Sequence, residues 1–288
     1  MATVKEALAK GARLLAQRES DARLDAQVLL GHVIGAERAH LLAYPERNIS
    51  NEQFRQYWQL IERRSHGEPV AYLTGHKEFF GLDFCVDQRV LIPRPETELL
   101  VEVALGVIRD RMAADLMPVV ADIGTGSGAI AITIAVEEPR LSYLYACDIS
   151  AGALEIARLN SQRHHVETRV RLLQGDLLTP LPEPVDVLVA NLPYVGTEEI
   201  ATLAPDVLDY EPHLALFSGP YGLLHIQRLF VEAKQSGMLR RDSVLLLEIG
   251  YQQCEPLTNL LLDLWPQARV NCQQDYAGWN RLMQVMLS

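Results

Sequence analysis

The chain has 288 residues, of which 49% are hydrophobic and 22% charged, and a formal net charge of −11. That length allows two cores, and that balance describes a globular protein rather than a disordered one. The acidity argues against tight, nonspecific binding of DNA or RNA, which needs clustered Lys and Arg to neutralise phosphates.

From Val4 to about Arg64 apolar residues recur at helical spacing. Leu14-Leu15 marks one stripe, and Leu24, Val28-Leu29-Leu30 and Val33-Ile34 mark a second, with Ser20-Asp21 as its cap. Ser50-Asn51 caps a third helix that runs through Phe54, Trp58, Leu60 and Ile61. Such stripes are core faces, and recognition of a substrate protein is the functional reading of this helical domain. Tyr72 to Ile92 is β-prone and punctuated by Gly, which predicts a hairpin linker stopped by Pro93 and Pro95. Glu96 to Ile108 reads as a helix entered from Pro95, with Glu96-Thr97-Glu98 complementing its dipole.

Val119 to Ile123 then forms a short buried strand that enters Gly124-Thr125-Gly126-Ser127-Gly128 and the helical run Ala129 to Ile134. Glycines there permit a tight turn and close approach of a ligand to backbone. The spacing is not that of GxGxxG, and the Gly-Lys-Ser/Thr of a P-loop is missing, so nucleotide phosphates are not the favoured ligand. The strand Leu141 to Cys147 ends at Asp148, about 20 residues past the glycines, where an acid can accept from both hydroxyls of a ribose. Thr168 to Leu173 delivers Asp176 and Leu177 to the same rim, the first able to accept from an adenine amine and the second to pack on its ring. An ordinary strand-end turn is the alternative there.

Val185 to Ala190 is an unbroken apolar-rich strand that ends at Asn191-Leu192-Pro193-Tyr194. A planar NH2 group has two N–H donors and a delocalised lone pair, so it is a poor nucleophile. The Asn191 side-chain oxygen and a backbone carbonyl, that of Pro193, can hold both hydrogens and aim the nitrogen. Leu192 precedes a proline, which biases it to extended backbone, and Tyr194 offers a flat face. Asn and Pro also form plain turns, which is the competing reading. Tyr194 to Pro220 lacks periodicity and reads as a substrate-side loop. A helix over Leu223 to Ala233 and strands over Val244 to Glu248, Ala268 to Cys272 and Leu282 to Leu287 follow.

The remaining residue types suggest little chemistry. The four cysteines, Cys85, Cys147, Cys254 and Cys272, include no CxxC pair, which predicts buried thiols rather than a disulfide framework or a zinc site. The eight histidines lack ligand spacing, so no metal is expected. Arg63-Arg64 and Arg240-Arg241 are the only short basic pairs, and such runs are ordinarily solvated faces. Met1 to Ala7 lacks a signal-peptide core and no stretch has the uncharged length of a membrane span, so a cytoplasmic protein with no membrane partner is expected.

Four strand ends that carry, in order, a Gly loop, a ribose acid, an adenine site and an amine grip resemble the methyltransferases that use S-adenosyl-L-methionine. Ligands of open α/β sheets collect outside the carboxyl ends of the strands, so the four elements converge. Gly67-Glu68-Pro69-Val70-Ala71-Tyr72-Leu73-Thr74-Gly75, Glu78-Phe79-Phe80-Gly81 and Ile92-Pro93-Arg94-Pro95-Glu96-Thr97-Glu98 narrow the match. Over nearly its whole length the chain resembles the bacterial release factor glutamine methyltransferases.

The resemblance implies an α/β fold: a Rossmann-like seven-stranded sheet with its last strand antiparallel, a small N-terminal helical domain over 1–71, a β-hairpin linker over 72–92 and a methyltransferase domain over 93–288. It implies S-adenosyl-L-methionine held by Gly124, Thr125, Gly126, Ser127, Gly128, Asp148, Asp176, Leu177 and Asn191. It implies methyl transfer to the side-chain amide nitrogen of the Gly-Gly-Gln glutamine of peptide chain release factors. Asn191, Pro193 and Tyr194 are the catalytic residues, with Leu192 beside them at the substrate. Glu96-Thr97-Glu98 borders the cofactor crevice. Leu192 stands where proline is frequent in that family, and Tyr221 and Asn280 stand where an acid is common. The same grip suits a flipped adenine or cytosine of nucleic acid, against which the acidic balance and the lack of an obvious target-recognition domain count. A docking protein without catalysis is the third reading.

Overall fold

Thr3 opens the first helix of the computed structural model, which describes residues 2–16 and 21–287. Contacts divide the chain into two units, Met1–His76 with Ala204–Tyr210, and Lys77–Leu203 with Glu211–Ser288. The first unit holds α1 (Val4–Leu15), α2 (Ala22–Ile34), α3 (Arg38–Ala43), α4 (Asn51–Ser65) and α5 (Val70–Thr74). Thr3 with Glu6 and Ser50 with Gln53 form capping boxes, each satisfying orphan N–H groups at a helix start. Of the cap expected at Ser20-Asp21, Ser20 lies outside the described residues, and Asp21 occupies the cap position without a side-chain hydrogen bond. The apolar stripes meet in one core around Leu15, Leu29, Leu30, Tyr57 and Ile61. Of Arg63-Arg64, Arg63 is exposed as its sequence suggests and Arg64 is not. Arg64 is buried with its Nε 2.8 Å from Asp25 Oδ2, tying α4 to α2, and Arg63 is chelated by Glu68. A buried guanidinium is tolerated only with such a partner.

The second unit begins with a hairpin, β1 (His76–Phe79) and β2 (Leu82–Cys85), shorter than the 72–92 predicted because Tyr72 to Thr74 complete α5. Phe79 and Phe84 insert into the core beside α6 (Glu98–Ala113), which a 3-10 turn over Pro95–Thr97 introduces. Alternating elements follow: β3 (Val120–Ile123), α7 (Ala129–Glu137), β4 (Leu144–Asp148), α8 (Ala151–Arg163), β5 (Val170–Gln174) and β6 (Val185–Ala190). The segment read as a loop contains 3-10 turns over Thr197–Thr202 and His213–Ala215 and, as part of the first unit, the helix α9 (Pro205–Tyr210), each too short to show a period. The chain closes with α10 (Leu224–Ser236), β7 (Leu239–Glu248), α11 (Cys254–Leu264), β8 (Arg269–Gln274) and β9 (Asn280–Met286).

The seven strands take the order β5-β4-β3-β6-β7-β9-β8. β3 to β7 are parallel, and β9 runs antiparallel between β7 and β8, as the resemblance implied. Val120, Val187, Val189, Val244 and Leu246 face α6 and α7, whereas Ala121, Ile123, Leu188, Ala190, Leu245 and Leu247 face α10 and α11. Both faces are covered, so these strands read as continuous apolar runs rather than alternating ones.

The cysteine expectation is corrected. Cys254 at the start of α11 and Cys272 on β8 form a disulfide with Cα atoms 6.4 Å apart. The packing of helix on strand brings them together across 18 residues, a spacing that carries no motif. Cys85 and Cys147 are free, and burial pushes the Cys147 thiol up to about 12. No described helix is long and apolar enough to cross a membrane.

Candidate active site

The carboxyl ends of β3, β4, β5 and β6 open onto one cavity, as the geometry of parallel sheets requires. Ten of the twelve residues singled out in the sequence line it; Gly128 and Tyr194 do not. Gly124 has φ +76, and a Cβ on it would stand 2.9 Å from Leu192 Cδ2, so the Gly loop packs directly on the turn after β6. Gly128 instead caps α7 behind the wall. Asn160 of α8 holds this loop from outside: its Nδ2 donates to Ser127 O at 2.8 Å and to Cys85 O at 2.9 Å, while its Oδ1 accepts from Cys85 N.

Three carboxylates stand on β3 and at or just past the ends of β4 and β5. Asp148 accepts from Gly126 N and Ser150 N, each at 2.8 Å, one bond to each oxygen. Each oxygen keeps lone-pair capacity for a further donor such as a hydroxyl. Asp176 lines the cavity with its Oδ2 paired 2.5 Å from Arg228 Nη2. Asp122, in the interior of β3, is 0% exposed and accepts from the Thr125 hydroxyl at 2.6 Å through Oδ2. Its Oδ1 is the single buried side-chain polar atom without a hydrogen bond among the described residues. Burial pushes this carboxyl up to about 7, against the opposing pull of Thr125.

The turn at Asn191 has a buried support. β6 and β7 pair in parallel with Ala190 opposite Leu247, so Asn191 and Glu248 fall side by side one residue further on. By the period of two they share the face of Val189 and Leu246, over which α6 packs. The residue that enters α6 is Thr97. Its Oγ1 donates to Glu248 Oε2 at 2.6 Å and accepts from Asn191 Nδ2 at 3.1 Å. Tyr194 OH donates to Glu248 Oε1 at 3.0 Å. Glu248 is 2% exposed, and burial raises its carboxyl above the usual range while the bonds from Thr97 and Tyr194 and the charge of Arg281 oppose that shift. Burial also pushes the Tyr194 phenol up, so it stays a donor.

On the outer side Gln253 Nε2 takes the Tyr194 carbonyl at 2.9 Å. The Leu192 and Pro193 carbonyls make no such bond among the described residues, and both residues line the cavity. Arg94, also in the wall, is ion-paired with the buried Glu211, whose other oxygen accepts from Ile92 N. Tyr221 exposes its side chain to solvent, and Asn280 pairs with Gln274 at the start of β9, so neither departure from the family pattern touches Asn191.

Thr97 lines the cavity as the crevice-bordering reading of Glu96-Thr97-Glu98 expects, but its link to Asn191 was missed, and so were Glu248 and Gln253 altogether. A lone acid ending the apolar run Val244 to Leu247 beside the strand that ends in Asn191 was the available signal. Among the described residues no group of three or more His, Cys, Asp or Glu side chains is arranged to hold a metal ion.

Known proteins match this arrangement. A family model described as the PrmC N-terminal domain covers residues 6–75, and one described as the methyltransferase small domain covers residues 101–209. The catalytic domain of hMettl16 in complex with MAT2A 3'UTR hairpin 6 has a TM-score of 0.55 at 15% identity over 83% of each chain, a likeness of fold alone. Fold, Gly loop and domain model together make this protein a methyltransferase. A release factor glutamine methyltransferase of Moorella thermoacetica is 41% identical over 281 residues, 97% of this chain and 96% of that one. One of Koribacter versatilis is 41% identical over 251 residues, 86% of each. The chain belongs to the release factor glutamine methyltransferase family.

Proposed function

We propose that this protein transfers a methyl group from S-adenosylmethionine to the side-chain amide nitrogen of the glutamine in the Gly-Gly-Gln loop of peptide chain release factors. One observation carries the reading: Asn191 spends its N–H on Thr97 and has Oδ1 neither paired nor buried, beside the unpaired Pro193 carbonyl. Two acceptors suit the two N–H donors of a carboxamide.

The residues present fit the cofactor. The backbone of Gly124 to Ser127, the free lone pairs of Asp148, and Asp176 with Leu177 would hold it. When bound, it supplies a methyl carbon made electrophilic by positive sulfur. Asn191 Oδ1 and the Pro193 carbonyl hold the amide nitrogen in line with that carbon, with Leu192 beside them and Tyr194 anchored by Glu248. Positioning of this kind is worth about 7–11 kcal/mol of a barrier. As the N–C bond forms the carbon–sulfur bond would break, its electron pair passing to the sulfur, the nitrogen turns positive, and the same two acceptors favour that charge. Its N–H is then acidic and leaves to water, so no side-chain base is needed. The release factor substrate places the reaction in the cytoplasm, and nothing in this chemistry calls for nucleic acid.

The test is peptide mapping by mass spectrometry of a purified release factor after incubation with the protein and S-adenosylmethionine. One methyl on the Gly-Gly-Gln glutamine, lost in Asn191→Ala, is expected. Methyl transfer to an oligonucleotide without any release factor would replace this reading by the nucleic-acid one. Cofactor binding with no acceptor methylated would leave the docking reading.

A further inference from the structure

We infer that Thr97, oriented by Glu248, is a positioning residue that sets which end of the Asn191 amide faces the substrate. This deepens the proposed function and rests on it.

An asparagine side chain presents an acceptor or a donor depending on a half-turn about its last bond, and the two orientations have the same shape. Only the hydrogen-bond partners decide between them. At Asn191 the partner is a hydroxyl, which is ambiguous by itself because it both donates and accepts. The ambiguity is removed one residue further in. Glu248 takes the Thr97 hydroxyl at 2.6 Å, in the range of a charge-assisted O–H to carboxylate bond. The proton of Thr97 is thereby committed, and its remaining lone pair can only accept. The group that Asn191 turns toward it at 3.1 Å must be the NH2, which leaves Oδ1 for the cavity.

Other neighbours of Glu248 oppose the upward push of burial on its carboxyl. Tyr194 OH donates to its second oxygen at 3.0 Å, and the Arg281 guanidinium, 6.0 Å from the Tyr194 ring centre, favours the negative charge. The chain of bonds therefore runs in one sense, from Asn191 through Thr97 to Glu248. Without the Thr97 hydroxyl the amide has no reason to prefer Oδ1 outward. In the reversed orientation the NH2 of Asn191 would confront the substrate N–H that Oδ1 otherwise accepts, and that half of the grip would become a repulsion.

The test uses Thr97→Val, Thr97→Ser, Asn191→Ala and the double variant Thr97→Val with Asn191→Ala. Each is assayed in single turnovers on a purified release factor, with cofactor Kd measured by calorimetry and folding by thermal midpoint. Thr97→Val, or Thr97→Ala if the valine variant does not fold, should slow methyl transfer by about ten- to a hundredfold, the usual cost of losing a partner that orients a functional group. Cofactor Kd should stay at the wild-type value, and Thr97→Ser should restore most of the rate. On the Asn191→Ala background the Thr97 change should cost nothing further, because it acts through the missing amide.

Wild-type rates in both hydroxyl-free variants would overturn the inference. So would losses that multiply in the double variant, a serine variant as slow as valine, or a cofactor Kd that weakens in step with the rate. A wild-type protein that methylates no release factor, with cofactor bound, is the separate failure of the proposed function, and the inference falls with it.

Discussion

Gln253 Nε2 lies 2.9 Å from the carbonyl of Tyr194, and the same nitrogen reaches the carbonyls of Tyr221 at 3.1 Å and Gly222 at 3.2 Å. Its Oε1 accepts from Gly250 N at 2.9 Å. One side chain, 6% exposed, thus joins the turn after β6, the loop before α10 and the start of α11. Gln253→Leu keeps most of the volume and strips every bond. Buried groups left unpaired cost about 1–3 kcal/mol each when water cannot reach them. The expected result is a lower urea midpoint together with a fall in methyl transfer larger than the change in cofactor Kd, since the Pro193-Tyr194 turn loses its anchor. Unchanged turnover at reduced stability would show that the turn holds its shape without Gln253.

Gly222 makes the same junction possible from the other side. It has φ +70, and a Cβ there would stand 1.9 Å from the Tyr194 carbonyl oxygen. Two penalties coincide in Gly222→Ala, the left-handed backbone and a clash with backbone rather than with a movable side chain. Together they should cost roughly 2–4 kcal/mol. Thermal unfolding measures the first effect, and the methyl-transfer rate measures displacement of Tyr194. A variant with wild-type stability would mean that the loop before α10 can retreat freely from the turn.

Asn160 lends itself to a cleaner separation of binding from chemistry. It sits in α8, where alanine is an excellent helix former, so Asn160→Ala alters no propensity for the worse. What it removes is the set of three bonds to Cys85 N, Cys85 O and Ser127 O. Stability should fall by about 2–4 kcal/mol, and cofactor affinity should weaken with it because Ser127 belongs to the cavity wall. Calorimetry of cofactor binding is the discriminating measurement. Full affinity in a destabilised variant would show that the Gly loop is set by its own backbone.

Much of this site is legible in the chain because strand ends are legible. Val185–Ala190 is readable from end to end, since a strand covered on both faces is a nearly continuous apolar run, broken here by Asp186 alone, and Asn191 is conspicuous as the first polar residue after it. Asp148 and the glycines are visible for the same reason. Thr97 and Glu248 are not, because 151 residues separate them and their meeting depends on where the start of α6 crosses β6 and β7. Neither local propensity nor spacing encodes that crossing. Arg64 shows the same blindness in reverse: one member of a basic pair that reads as surface is buried in an ion pair, because its partner Asp25 lies 39 residues away. The Cys254–Cys272 bond also joins a helix to a strand and leaves no pattern in sequence.

Asp122 gives the stability of the fold a pH dependence whose sign can be worked out. Its carboxyl titrates at about 7 in the folded protein and near the ordinary 3.8 when unfolded, with burial as the cause. Between those values the folded state keeps a proton that the unfolded state has lost. Folding stability therefore falls as pH rises through that window, by up to about 1.4 kcal/mol for each pH unit crossed. The stabilisation is complete below the unfolded value and gone above the folded one. Asp122→Asn is close in shape and does not titrate. Subtracting its unfolding free energy from that of the wild type at each pH removes the contribution of every other group. The difference should move against the wild type from pH 5 to pH 7 and then level off, with urea unfolding as the measurement. A difference flat across that range would mean that the carboxyl is ionised throughout and that an ordered water or a neighbouring donor satisfies Oδ1.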